Sequence, residues 1–304
     1  MLVGRTALGP NERTVVDPTL NAGALGQLVV VATPLGNLGD ISRRALELLS
    51  VADVIYCEDT RRSRTLFSAF DIPVRGRLQS LHEHNEASQC ADVVERVRGG
   101  QIVVLISDAG TPGISDPGSR VVAAVAEAGL SVSTAPGPSA VIAALTISGL
   151  ATERFCMEGF VPRKRGERAT LFEQWANEVR TIVFYESPQR LVTTLGELAQ
   201  LFSRRRVAVA REITKVHEEV VRGTLEEVTA IFSAREVMGE VVVILEGATT
   251  TAPIDMAMVR SALREQLGSG VSVRDAVSSV ADALGVAHRD AYRLALELRA
   301  GDAP

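Results

Sequence analysis

Three short stretches of this 304-residue chain hold residue types able to do chemistry. Glu58 and Asp59 are adjacent acids, followed at once by Arg61 and Arg62. One carboxylate could take a proton from a hydroxyl while an arginine holds an anion. The same residues also suit a plain helix start, with acids at its positive end. His82, Glu83, His84, Asn85 and Glu86 place two of the chain's four histidines in one run. Histidine accepts protons near neutrality, although a surface turn leading into a capped helix explains the run as well, and for His82 is the preferred reading. The third stretch is "SDAGTPGISDPG", Ser107 to Gly118, with three glycines, two prolines and two aspartates. Glycines let a backbone approach a ligand closely, and prolines hold a turn rigid. Asp116, just before Pro117 and the next helix, is expected to be that helix's N-cap.

The elements that must position these residues follow from periodicity. Strands are expected at Leu28–Ala32, Val54–Tyr56, Val103–Ile106 and Ser131–Thr134. Between them lie helical patterns, one capped by Asp40 with Ile41, Ala45, Leu48 and Leu49 on one face, another from Val121 to Ala128. Strand and helix in alternation imply a mostly parallel sheet covered by helices. Pro136-Gly137-Pro138 reads as a joint, beyond which Phe155–Phe160, Thr181–Tyr185, Val207–Ala210 and Val241–Leu245 are strand candidates of a second α/β half. From Ile254 onward no strand signal remains, only short helices broken at Gly268 and Gly285. The expected organisation is a flexible tail at 1–26, α/β domains at 27–136 and 137–248, and a helical appendage at 254–304.

Each unusual loop follows a strand: "TPLGN" at Thr33, "CEDTRR" at Cys57, "SDAGTP" at Ser107, "APGPSA" at Ala135, "YESP" at Tyr185 and "REITK" at Arg211. Ligands of parallel α/β sheets bind outside the carboxyl ends of strands, so six such loops on one edge predict a large site there. The chain contains neither GxxxxGK[ST] nor, in its first loop, GxGxxG, which sets aside a Walker-type phosphate loop and a standard dinucleotide fingerprint.

Composition narrows the partners. The chain is 46% hydrophobic but only 4% aromatic, with net charge −5, so a whole-molecule attraction to nucleic acid is not indicated. Basic residues cluster locally at Arg61-Arg62-Ser63-Arg64, at Arg163-Lys164-Arg165 with Arg168, and at Arg204-Arg205-Arg206; a solvated surface is the plain reading of any one cluster. Cys57, Cys90 and Cys156 stand far apart without metal spacing. No apolar run reaches the roughly 18–20 residues of a membrane span, and the first 26 residues do not read as a secretory signal. A reduced, cytoplasmic, metal-free protein is expected.

"SDAGTPGISDPG", with "ATPLGNLGDIS", "CEDTRRS", "LHEHNE", "APGPSA", "FYESPQR", "REITK" and "GEVVVILEG", resembles the bacterial ribosomal RNA small subunit methyltransferase I family, over about residues 27 to 247. That family belongs to the tetrapyrrole-methylase-like, class III S-adenosylmethionine enzymes. The resemblance implies two αβα domains with S-adenosylmethionine in the cleft between them, a homodimer, and methyl transfer to the ribose 2′-oxygen of a cytidine in the decoding region of 16S rRNA in the 30S subunit. By motif position it implies cofactor contacts from Pro34, Asp108, Ala109, Gly110, Thr111, Ile114, Ser139, Ala140, Glu186, Ile213 and Val241. Tetrapyrrole relatives often carry Gly-Asp-Pro where this chain has Gly110-Thr111-Pro112, so the acid sits earlier here, at Asp108. The resemblance makes Arg163, Lys164, Arg165 and Arg168 rRNA contacts, and Arg61 or Arg62 would hold a phosphate. Lys215 is either a phosphate contact or an ordinary surface charge. Glu58 or His84 would stand near the attacking hydroxyl, with Asn85 binding a base edge or orienting the ribose. Two other readings remain open, a small-molecule methylase acting on a tetrapyrrole and a non-catalytic ribosome-binding factor.

Overall fold

The computed structural model describes residues 26–74, 76–248, 256–284, 286 and 288–301. The expected N-terminal tail therefore lies almost wholly outside the described residues, as does Gly285. Residues from Gln27 to Gly247 belong to one compact unit and those from Met256 onward to a second.

The first sheet is built from β1 (Gln27–Val31), β2 (Val54–Cys57), β3 (Leu78–Ser80), β4 (Ile102–Leu105) and β5 (Ser131–Ala135), in the order β3-β2-β4-β1-β5. All its pairings are parallel. Successive residues of β1 point to opposite faces. Val29 and Val31 therefore pack with Leu48 and Leu49 of α1 (Arg43–Val51) and Phe67 of α2 (Thr60–Ala69). Leu28 faces the other way, toward Val93 and Val97 of α3 (Glu86–Arg98) and Val121 and Val125 of α4 (Ser119–Glu127). Helices thus cover both faces. The cap of α1 is Ser42, whose hydroxyl accepts from the Ala45 amide at 3.1 Å; Asp40, expected to cap it, ends a short 3-10 turn instead.

The chain then crosses to the second sheet, because α5 (Ala140–Ser148) packs Val141, Ala144 and Leu145 on strands of that sheet. The second sheet runs β6-β7-β10-β8-β9, with β6 at Phe155–Phe160, β7 at Thr181–Glu186, β8 at Arg206–Arg211, β9 at Glu219–Thr224 and β10 at Val241–Leu245. β6 and β7 are parallel, whereas β10 is antiparallel to both β7 and β8. Its other face is covered by α6 (Arg165–Trp175), α7 (Pro188–Phe202) and α8 (Leu225–Ser233), through Phe172, Leu191, Leu195 and Phe232. Local signals start two of these helices. Pro188 occupies the first turn of α7, and Thr224 with Glu227 forms a reciprocal capping box on α8.

The second unit has its own core. Val259 and Leu263 of α9 (Met256–Gly268) meet Val277 and Val280 of α10 (Val273–Leu284) and Leu294 of α11 (His288–Gly301). Among the described residues no helix is long and apolar enough to cross a membrane.

Candidate active site

Parallel pairing brings the ends of β1, β4 and β5 to one edge of the first sheet. The second sheet presents the ends of β6, β7 and β8 and, since β10 runs the other way, the beginning of β10: Val241 is paired with Glu186 on one side and Arg211 on the other. A cleft of about 370 Å³ lies between these edges, within the range of small-molecule sites. It is lined from the first sheet by Leu35, Ala109, Gly110, Thr111, Ile114, Ser115 and Asp116, and from the crossing segment by Ser139 and Ala140. Phe160, Tyr185, Glu186, Ser187, Pro188 and the stretch Gly239 to Val242 complete it.

The Ser107–Gly118 loop is tied down on both sides. Thr33 and Gly110 exchange backbone hydrogen bonds at 2.9 and 3.0 Å. The Thr33 hydroxyl donates to the Ser107 carbonyl at 3.1 Å, and the Thr111 hydroxyl to the Pro138 carbonyl at 3.0 Å. Gly110 sits at φ +80°, a conformation that calls for glycine, and a Cβ there would press on the Leu35 side chain at 3.2 Å. Ser115 holds a positive φ of 64° without being glycine, a strained conformation of the kind that clusters at binding sites.

The helix after this loop is not capped as expected. α4 begins behind Gly118, at φ +137°, and its free amides are taken by Glu86 of α3. One Glu86 carboxylate oxygen accepts from Gly118 and from Arg120, each at 2.9 Å. Asp116 is thereby released from capping and lines the cleft. Burial pushes its carboxyl above the ordinary aspartate range, and the negative charge of Asp108 adds to the effect. Glu58 behaves alike, raised first by burial and then by the charges of Asp116 and Asp108. Tyr185 is pushed up to about 12, by burial and by Asp116.

Of the residues expected to contact a cofactor, Ala109, Gly110, Thr111, Ile114, Ser139, Ala140, Glu186 and Val241 line the cleft. Pro34 stands one residue before Leu35, which does line it. Ile213 is instead packed into the core with Val141 and Ile244. Asp108 points to the neighbouring loop, where it accepts from the Asp59 amide at 3.1 Å and pairs with Arg62 at 3.2 Å. Asp59 caps α2 through the Arg61 amide at 2.8 Å and pairs with the Arg61 side chain, so the helix-start reading holds for Asp59 and leaves Glu58 as the chemically available acid.

The other candidates divide. His84 is exposed, stands edge-on to His82 and does not line the cleft. Asn85 uses its amide inside its own turn, accepting from His82 at 2.8 Å and donating to Ser80 at 2.9 Å. Arg163, Lys164 and Arg165 are exposed. Arg168 is buried, its guanidinium clamped on both oxygens of Glu197 at 2.5 and 2.6 Å, so it braces α6 against α7 and is withdrawn from the surface cluster. Lys215 bridges Glu212 at 2.9 Å and Glu240 at 3.1 Å with its stem over Gly36, which ties together three loops at the cleft edge.

Of the lining residues on this side, Val241 was expected from the motif resemblance, whereas Phe160, Gly239, Glu240 and Val242 were not singled out. A rule that looks after strands finds nothing before β10, and only the antiparallel direction of that strand brings its start to this edge. Leu35, Ser115, Tyr185, Ser187 and Pro188 lay inside the motifs already marked and were the readable ones.

A model of the tetrapyrrole (corrin/porphyrin) methylases matches residues 27–229. Ribosomal RNA small subunit methyltransferase I of Mycobacterium tuberculosis (strain CDC 1551 / Oshkosh) is 46% identical over 276 residues, covering 90% of this chain and 96% of that one. The chain belongs to the small subunit methyltransferase I family of tetrapyrrole methylases. Solved tetrapyrrole-methylase-like structures agree in fold. Diphthine synthase superposes with TM-score 0.56 at 19% identity, over 72% of this chain and 89% of its own. Uroporphyrin-III C-methyl transferase from Thermus thermophilus, complexed with S-adenyl homocysteine, does so with TM-score 0.50 at 22% identity, over 73% and 97%.

Proposed function

We propose that this chain transfers a methyl group from S-adenosylmethionine to the ribose 2′-oxygen of a cytidine in 16S rRNA, acting on the 30S subunit as a cytoplasmic homodimer. The observation that carries this reading is the tied-down glycine loop at the cleft, in a chain 46% identical to a protein named as a small-subunit rRNA methyltransferase. The residues fit such a cofactor. Gly110 presents bare backbone to the cleft beside the Leu35 side chain, and Ser139 opens α5 without a side-chain cap, so that helix start offers amides at the cleft. The relative complexed with S-adenyl homocysteine supports the same cofactor class. When bound, S-adenosylmethionine supplies an electrophilic methyl group.

The chain's own contribution is position and proton traffic. Holding two reactants in line converts an encounter into an oriented step, worth up to roughly 7–11 kcal/mol in favourable cases. The ribose hydroxyl is a poor nucleophile at neutral pH, so a carboxylate with a raised pKa is a useful acceptor for its proton. Glu58 and Asp116 are both of that kind. Arg163, Lys164 and Arg165 hold RNA phosphates, which fix register without reading sequence. The pair of domains at 27–136 and 137–248 supplies one wall of the cleft each.

The deciding experiment offers the purified chain labelled S-adenosylmethionine with undermethylated 30S subunits or with a tetrapyrrole. Label recovered as 2′-O-methylcytidine after nuclease digestion is the expected result. Label in the tetrapyrrole, or in another nucleoside, refutes the reading.

A further inference from the structure

β6 pairs with β7 in regular parallel register from Phe155↔Thr181 to Met157↔Val183, and then shifts so that Phe160 pairs with Tyr185. One extra residue has been inserted, and Gly159 takes it up at φ +69°. Such a bulge re-aims the following side chain. Without it Gly159 would stand beside Tyr185. With it, Phe160 does, and the two rings lie 5.3 Å apart at 45°. Phe160 is nevertheless 62% exposed. A large aromatic ring is thus held in a fixed place while most of its surface faces solvent.

Its place is specific. Phe160 borders the cleft and also an adjoining cavity of about 520 Å³. Glu186 and Ser187 are shared by the two, and Arg163 and Gln189 stand on the far side of the second. Arg190 makes that wall rigid, donating to the carbonyls of Val161 at 2.8 Å and Pro162 at 3.0 Å while paired with Glu186 at 3.1 Å. The exposed cations Arg163, Lys164 and Arg165 follow directly.

We propose that Phe160 is the stacking platform for the nucleobase of the nucleotide being methylated, with the base in the adjoining cavity and Arg163 and Gln189 at its edge. The inference rests on the rRNA reading above. A base is joined to the carbon next to the one bearing the 2′-hydroxyl, so it must lie within a sugar's width of the reacting oxygen. The cavity that shares Phe160 with the cleft meets that requirement. A fixed aromatic face flanked by cations suits an unstacked base on a phosphate backbone, and the bulge is the device that supplies the face. Phe160 is on this account a positioning residue, and the proton transfer belongs to the acids.

The test compares F160A, F160L and F160W in the full chain with undermethylated 30S subunits. Parent enzyme in the same assay must methylate the subunits; its failure would speak against the rRNA reading and not against the platform. Loss of a base stack in F160A should lower kcat/KM by about 10- to 100-fold. Because Phe160 also borders the cofactor cleft, rates are compared at S-adenosylmethionine concentrations that saturate each variant, as fixed by calorimetry. F160W should recover most of the rate, and F160L, apolar without a flat π face, should not. The slope of subunit affinity against salt should be unchanged in F160A and flattened when Arg163, Lys164 and Arg165 are neutralised, because only phosphate contacts release counterions. An active F160L, or an F160A that methylates subunits at the parent rate under saturating cofactor, would each overturn the proposal.

Discussion

At the scale of residues, three acids interact beside the cleft, Glu58, Asp108 and Asp116: burial and the charge of Asp108 raise the proton affinity of both Glu58 and Asp116, and Asp116 lines the cleft. Two of them were visible in the sequence as candidates for chemistry or cofactor contact. Asp116 was assigned to a cap, because an aspartate before proline and a helix is a strong local signal and nothing local reveals that Glu86, 30 positions earlier, already takes those amides. E58Q and D116N should separate their roles. Removing the proton acceptor should slow single-turnover methylation of 30S subunits by roughly 10²- to 10⁴-fold in at least one of them, with both ligands still bound, and H84Q should turn over at the parent rate. Parent rates in both acid variants would leave neither as the acceptor. The same shift has a thermodynamic side. Burial raises the Asp116 pKa in the folded chain above its ordinary 3.8, so the folded state binds more protons than the unfolded one through that window. Stability therefore falls as pH rises through the folded value. D116N should melt above the parent near about pH 7.5, and the difference should close once the pH drops below the ordinary aspartate value. A parent-like melting temperature at neutral pH would show that the carboxyl is not disfavoured by its surroundings.

At the scale of elements, strands were the most readable feature. Among the described residues, eight of the ten strands lay where strand-like runs predicted them; the clearest, such as β1, β2, β4 and β10, are buried continuous apolar segments. β3 and β9 escaped: Leu78-Gln79-Ser80 is short and polar, and Glu219–Thr224 is only half-buried at a sheet edge. Direction was not legible either. Nothing in Val241–Leu245 says that it runs against its neighbours, and that reversal is what brings its first residues to the cleft. The helix borders show how far a cap can travel from local sequence. Glu86 is buried and joins α3 to the start of α4. E86A should cost about 1–2 kcal/mol of stability, the range of a lost helix cap, and E86Q, which keeps an acceptor oxygen, should cost less. Equal melting of E86A and parent would mean that water replaces the carboxylate at no cost.

At the scale of the whole molecule, two α/β halves were legible from alternating strands and helices, their αβα layering was implied by the family resemblance, and the helical segment was legible from the loss of strand signal from Ile254 onward. The partition into units with separate cores is the added finding. A chain ending at Gly247 should fold cooperatively and bind S-adenosylmethionine with an affinity within about threefold of the full chain; failure to fold would show that the helical unit is needed for the core of the first. The stitched Ser107–Gly118 loop carries one more consequence, in time. Its backbone bonds to Thr33 and its side-chain bond to Pro138 exist before any ligand arrives, so little ordering remains to be done on binding. Cofactor capture should then be a single kinetic phase whose observed rate climbs linearly with concentration, with no plateau from a slow rearrangement. In stopped-flow mixing, a rate that saturates would mean that the loop opens before it accepts its ligand.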